Sequence, residues 1–308
     1  MKLARKTKGY MMITGSGFLW GSMFFYAQYL LDRGLVSQDF VVWKLFIGFL
    51  AMFIYTWIKD RTLLKIDKRG LVFTMFMGLV CHAVYNLFTF LSMEKTSIST
   101  AVSLLYTAPM FVMIMSRIFL KEIITSPKII ALIICTIGVF LTVTGGSLRA
   151  LSFNLSGVTL GLLAGFFYAI MNILSKSLLN QYSQLTILIY TFGFGSLFSL
   201  AFSNPLVPFK MEFDPIIWLC IIALGVLPTA LSYLLFTTGL TYGVESSKAS
   251  IIATLEVPVS VLGSYLLFGQ EIGGWKIVGI IMVLLSVVLL QKENNPITEV
   301  RGLSSQNH

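Results

Sequence analysis

The sequence predicts an all-α integral membrane protein of ten transmembrane helices arranged as two inverted five-helix repeats. Three observations carry this. The chain is 56% hydrophobic and only 11% charged, whereas an ordinary soluble domain carries about 25% charged residues. Its apolar residues fall in continuous runs of the length, about 20 residues, needed to cross a hydrocarbon core about 30 Å thick. The chain also nearly repeats itself after 148 or 149 residues, and each copy holds an odd number of such runs, so the copies must face opposite ways in a bilayer.

The first run, 10–31, follows a basic segment over 1–9, is too long for a signal-peptide core and has no small-residue cleavage site after it. Runs at 40–58, 70–92, 98–119 and 127–145 complete a first repeat over 10–145. Runs at 157–179, 183–203, 215–238, 246–268 and 273–291 make a second repeat over 157–291, followed by a tail over 292–308. Continuous apolarity, rather than alternation over about ten residues, indicates helices and not a β-barrel. The longest connectors, 59–69 and 204–214, are too short for a separate soluble domain.

The repeat is specific. At a shift of 148, Gly17 meets Gly165, Met23 meets Met171, Tyr85 meets Tyr233 and Leu87-Phe88-Thr89 meets Leu235-Phe236-Thr237. At 149, Pro109 meets Pro258 and Glu122-Ile123 meets Glu271-Ile272. Chance alignment of two Leu- and Phe-rich halves does not place Pro, Glu and Tyr at one shift. Inverted repeats recur in secondary transporters, where two similar halves exchange conformations around a site between them.

The net charge of +9 reflects topology. With ten spans and the N-terminus inside, 16 of the 22 Lys and Arg residues fall on the cytoplasmic side, among them Lys59, Lys128, Lys176, Lys248, Lys292 and Arg301. Both termini are then cytoplasmic, and the basic partner is anionic membrane lipid rather than nucleic acid. Cys81, Cys135 and Cys220 lie inside spans as small apolar residues, so neither a disulfide nor a metal site is expected, and no cofactor motif occurs.

In each half a proline in the fourth helix stands 13 residues before a glutamate in the following loop, Pro109 to Glu122 and Pro258 to Glu271. With "GSGFLWGS" in the first run and "SKASIIATLEVP" in the ninth, the chain resembles the EamA-like members of the drug/metabolite transporter superfamily over residues 10–291. The resemblance implies a ten-helix transporter with a central cavity lined by helices one to four of each half, the fifth and tenth helices lying at the periphery. It also implies a microbial plasma membrane and, as a frequent role, export of amino acids or toxic metabolites. The chain departs from many relatives where Val257 separates Glu256 from Pro258, and where Lys44 replaces an arginine.

Ionisable side chains near the bilayer centre cost about 2.5–3.5 kcal/mol on insertion scales, so each asks for a partner or a function. Glu256 lies about ten residues into the ninth run, where it exchanges a proton, holds a cationic group, or serves as a structural acid. Lys44, one turn inside the second run, either snorkels to the interface or faces the cavity. His82 lies mid-span with Asn86 one turn on, and is either a hydrogen-bonded core residue or a proton relay titrating near neutrality. Lys176 and Lys248, near cytoplasmic helix ends, are explained by topology.

Trp20, Tyr85, Tyr106, Tyr168, Tyr190 and Tyr233 lie inside spans instead of at their ends, where an aromatic belt would sit. Trp20 and Tyr168 are repeat-equivalent, as are Tyr85 and Tyr233, which suggests two symmetry-related walls; Asn172 shares the Tyr168 face. The candidate substrate-binding set is therefore Trp20, Lys44, His82, Tyr85, Asn86, Tyr106, Tyr168, Asn172, Tyr233 and Glu256, with Glu256 and His82 as candidate proton-coupling residues. Pro109, Pro228 and Pro258 are expected to bend their helices. Gly15, Gly17 and Gly21 give the first helix a close-packing face. Glu122 and Glu271 are read as architectural, capping helix starts or bonding backbone amides.

The function these features predict is secondary active transport of a small metabolite, an amino acid or related compound, outward, with coupling to a proton gradient as one option. Import of a quaternary ammonium compound such as choline is the alternative, since a mid-membrane acid among aromatic rings suits a permanent cation. No GxxxxGK[ST] loop occurs, so ATP hydrolysis is not expected of this chain. An intramembrane enzyme would need HExxH or a paired acidic motif, and a channel would show flux that does not saturate. A scaffold would leave the repeat unexplained. Ten helices can enclose a cavity alone, so both monomer and homodimer remain open.

Overall fold

The computed structural model describes residues 2–212 and 214–292. Arg301, His308 and the tail after Lys292 lie outside the described residues. The described residues fold into helices and turns with no strands. The helical rods are α1 (Lys2–Asp32), α2 (Ser37–Lys59), α3 (Lys68–Lys95), α4 (Ile98–Phe119), α5 (Ser126–Thr144), α6 (Leu155–Leu178), α7 (Gln184–Ser199), α8 (Pro215–Thr241), α9 (Ser246–Phe268) and α10 (Gly274–Lys292). Eight of them, α2 to α6 and α8 to α10, are long and apolar enough to cross a membrane. The rod α7 has only 16 residues, because the chain turns at Leu200 instead of continuing to 203. The rod α1 is long, but its glycines and serines dilute its apolarity.

Local chemistry sets the ends. Asp67 accepts from the Gly70 amide at the start of α3, Ser97 from Thr100 at the start of α4, Ser183 from Thr186 ahead of α7, and Asp214 from Ile216 at the start of α8. Each satisfies an amide that the first helical turn leaves unpaired. Gly145 and Gly269 stop α5 and α9 in the left-handed conformation, φ 64° and 65°, that an L side chain resists.

The rods show the repeat in their interruptions as well as their order. A widened segment with i→i+5 turns occupies Met77–Val84 in α3 and Gly225–Leu231 in α8, and Met77 and Gly225 are 148 residues apart. Both α4 and α9 are broken. In α4 the first segment ends at Leu105 and the second begins at Ala108; in α9 the corresponding ends are Ala253 and Glu256. The breaks fall before the prolines. Pro109 and Pro258 then sit in the first turn of the second segments, where their missing amide costs nothing.

Glycines of α1 and α6 admit these broken backbones. A Cβ on Gly17 would lie 3.2 Å from the Ala253 carbonyl, and one on Gly165 would lie 3.1 Å from the Leu105 carbonyl. The two contacts are repeat-equivalent, and a side chain at either position would press on the broken backbone. At the periphery α5 packs along α10, with Gly138 against the Gly279 carbonyl. Ile54, Ile58, Ile118, Leu266 and Leu267 are more than half exposed, as expected of surfaces that face lipid and not water.

Candidate functional site

The four interrupted rods bring their irregular segments together at the middle of the bundle, around a cavity of ≈ 60 Å³, room for a few water molecules at about 10–15 Å³ each. The break in α4 places Tyr106, and the break in α9 places Glu256 at the first position of the following segment. Tyr106 Oη donates to Glu256 Oε1 at 2.9 Å, a bond between the two halves across the two breaks. The wide turn of α3 carries His82, and that of α8 carries Pro228 and Thr229. A wide turn shifts the phase of a helix by part of a turn and re-aims the side chains beyond it.

Of the residues expected at the site, Trp20, Lys44, His82, Tyr85, Asn86, Tyr106, Tyr168, Tyr233 and Glu256 all line the cavity. Asn172 does not. It is 1% exposed, and its Nδ2 donates to the Tyr168 carbonyl one turn back at 3.0 Å. Asn172 therefore braces the wall from behind. Tyr190 also lies elsewhere, donating to the Leu64 carbonyl at 2.7 Å. Lys176 donates to the Leu240 and Val244 carbonyls, and the wholly buried Lys248 lies 3.8 Å from Glu245; neither reaches the cavity.

The aromatic walls are each built from both halves. Trp20 of α1 meets Tyr233 of α8 edge-on with centroids 5.1 Å apart. Their repeat equivalents, Tyr168 of α6 and Tyr85 of α3, meet at 6.1 Å. His82 packs against Phe192 at 5.4 Å and Tyr233 at 5.5 Å, wedged between rings.

Two opposite charges face this space without meeting. Lys44 Nζ lies 3.5 Å from Asn86 Oδ1 and 4.0 Å from Met23 Sδ, and among the described residues no ion pair joins it to Glu256. Asn86 is held in turn by donating to the His82 carbonyl at 2.6 Å. The site thus presents an amine on α2 and a carboxyl on α9 among aromatic rings, with a histidine in the wall.

Sequence reasoning missed Met23, Leu45, Leu105, Ala108, Thr229, Ser250 and Thr254 as lining residues. Ser250 and Thr254 follow a four-residue step on α9, a signal that was available. The others are apolar or small and look like any wall residue. No group of three or more His, Cys, Asp or Glu side chains able to hold a metal occurs among the described residues.

Comparison with known proteins gives a consistent picture. The EamA-like transporter family matches over residues 7–144 and again over 155–291. An uncharacterized transporter of Archaeoglobus fulgidus is 30% identical over 259 residues, covering 81% of this chain and 85% of the relative. YicL of Salmonella typhimurium, an uncharacterized inner membrane transporter, is 26% identical and covers 93% of this chain and 96% of its own length. A solved crystal structure superposes with a TM-score of 0.77 over 92% of this chain and 96% of the other at 13% identity, a likeness of fold alone.

Proposed function

Starting from the fact that this chain belongs to the EamA-like transporter family, and is therefore a multi-pass membrane transporter and not an enzyme, we propose that it carries a small zwitterionic metabolite, an amino acid or related compound, by alternating access. In this reading all ten rods cross the plasma membrane as two inverted repeats, with both termini cytoplasmic. The observation that carries it is the pair of unjoined charges in one cavity. Lys44 and Glu256 stand on different halves, ready for the carboxylate and ammonium of one ligand, and a ligand that engages both couples the halves. Tyr106 holds Glu256 meanwhile.

Proton coupling follows from the same acid. A cavity closes over a neutral carboxyl at less cost than over a carboxylate, and His82, which lines the same cavity, is the second proton-exchanging candidate. Direction is read as efflux, the expectation drawn from the family resemblance. A second reading, transport of a quaternary ammonium compound, is favoured by one observation: Trp20, Tyr85, Tyr106, Tyr168 and Tyr233 line the cavity together with Glu256, an arrangement that attracts a permanent cation through ring faces.

The experiment is uptake into proteoliposomes, with and without an imposed pH gradient, comparing wild type with Glu256→Gln against amino acids, quaternary ammonium compounds and sugars. Saturable amino acid uptake that depends on the gradient and disappears in Glu256→Gln supports the first reading. Uptake confined to quaternary ammonium compounds selects the second. Equal uptake by both proteins reduces Glu256 to a structural acid, and flux that never saturates points to a channel.

A further inference from the structure

One end of the bundle is latched and the other is not. At the first end, the loop after α4 crosses to the start of α9: Glu122 accepts from the Ser246 amide at 2.6 Å, the Ser247 amide at 3.0 Å and Ser247 Oγ at 2.6 Å. Charges reinforce it. Buried Lys128 lies 3.1 Å from Glu245 Oε1 and donates to the Ile123 carbonyl at 2.6 Å, and Lys248 approaches the same carboxylate. These contacts tie the first half to the second directly beneath the broken helix that carries Glu256.

The repeat supplies the same parts at the opposite end. A shift of 149 residues takes Glu122 to Glu271, Ser246 to Ser97 and Ser247 to Ile98. There the latch is open. Glu271 is exposed, and its side chain has no hydrogen-bond or ion-pair partner among the described residues. Ser97 instead caps its own helix, accepting from the Thr100 amide at 3.1 Å and donating to the Ala150 carbonyl at 3.0 Å, and Ile98 is 70% exposed.

Other repeat-related contacts are made at both ends. Asp67 at the start of α3 accepts from Tyr182, and Asp214 at the start of α8 accepts from Arg33 and Tyr29. This asymmetry lies at the ends of α4 and α9, the two rods broken at the cavity. We propose that Glu122 and Glu271 are reciprocal gate latches: release of Ser246 and Ser247 by Glu122 accompanies capture of the Ser97 and Ile98 amides by Glu271, so that only one end is closed at a time. This rests on the alternating-access reading above. It adds which residues hold each gate and which state the structure represents, closed at the Glu122 end.

Cross-linking tests it without a substrate. In a background carrying Cys81→Ala, Cys135→Ala and Cys220→Ala, two equivalent pairs that keep both glutamates are compared: Ile123→Cys with Ser247→Cys, and Ile272→Cys with Ile98→Cys. The first pair should join under a short thiol-reactive cross-linker in the resting protein, which also reports that the variant is folded. The second should join weakly at rest. Adding Glu122→Gln should raise its yield about tenfold, since a charge-assisted hydrogen bond biases an equilibrium by at least that factor. A second pair that never joins above single-cysteine background, or a yield unchanged by Glu122→Gln, overturns the proposal. Should the paired variants fold poorly, amide exchange in Glu122→Gln answers the same question. Protection should fall at Ser246 and Ser247 and rise at Ser97 and Ile98; loss at the first site with no gain at the second also overturns it. Neither readout involves cargo, so a wrong substrate leaves the latch standing, and a protein that transports without the cross-link refutes the latch alone.

Discussion

Replacing Lys128 should cost this protein more than replacing any other basic residue at its surface, because Lys128 is not at the surface. Its residue exposure is 1%, its ammonium lies 3.1 Å from Glu245 Oε1, and it also satisfies the Ile123 carbonyl. Lys128→Met keeps the stem and removes the charge. Glu245 then retains only Lys248, 3.8 Å from its other oxygen, and Ile123 loses its donor. Breaking a buried pair costs about 3–5 kcal/mol; because the Glu245 side chain is 17% exposed and keeps one cation, the expected loss is about 2–3 kcal/mol. Glu245→Gln should cost more, about 3–5 kcal/mol, since it removes the carboxylate shared by two ammoniums whose side chains are at most 2% exposed. The double variant Lys128→Met with Glu245→Gln should recover part of the sum. The assay is reversible unfolding in mixed micelles followed by tryptophan fluorescence, with Arg33→Met as the comparison; Arg33 pairs with Asp214 in the open, where ion pairs contribute little. A Lys128→Met loss no larger than that of Arg33→Met would refute the reasoning.

Gly138→Ala should destabilise by about 1–3 kcal/mol in the same assay, because its Cβ would lie 2.9 Å from the Gly279 carbonyl, and it should leave transport per folded molecule intact. Gly21→Ala should reduce transport as well as stability, since its Cβ would press on Val259 at 2.6 Å and on the Glu256 carbonyl at 2.8 Å. Pro228→Ala should leave the thermal midpoint nearly unchanged, because the equivalent wide turn at Met77–Val84 forms without a proline. At the loop linking α2 and α3, the Tyr182 hydroxyl and then the Gly70 amide hold the Asp67 carboxyl below its ordinary value. A depressed folded value means that the contact contributes fully above the ordinary carboxylate range and is lost as pH falls through the depressed value. The protection factor of the Gly70 amide, its exchange rate corrected for intrinsic pH dependence, should therefore hold at neutral pH and fall only in strong acid, and Tyr182→Phe should move that fall to higher pH.

The helices and their duplication were legible because hydrophobic run length and a fixed offset survive in composition. The interruptions were legible only in part. Pro109 and Pro258 announce the broken rods, yet the breaks lie at residues 106–107 and 254–255, where a proline would be tolerated anyway. The wide turn in α3 has no marker, since nothing in Met-Gly-Leu-Val-Cys-His-Ala-Val distinguishes an i→i+5 turn from an ordinary one. At the site, mid-span polar and aromatic residues stood out because the bilayer makes them costly, and all but Asn172 and Tyr190 reach the cavity. Asn172 shares a helix face with Tyr168 but spends its amide on the backbone, a choice that spacing does not encode. Lys128 and Lys248 were counted as topological charge, and only packing reveals that both are buried and paired.

The paired wide turns also constrain how each half can change. An i→i+5 turn holds one residue more than the helix around it needs, and it is removed by a single deletion that rotates everything beyond it by about 100°. In α3 that rotation would carry Tyr85 and Asn86 off the cavity wall, and in α8 it would carry off Tyr233. The turn occupies corresponding positions in both halves, so a single insertion preceding duplication accounts for both. Pro228 has no proline counterpart in Met77–Val84, so the bend itself does not require one.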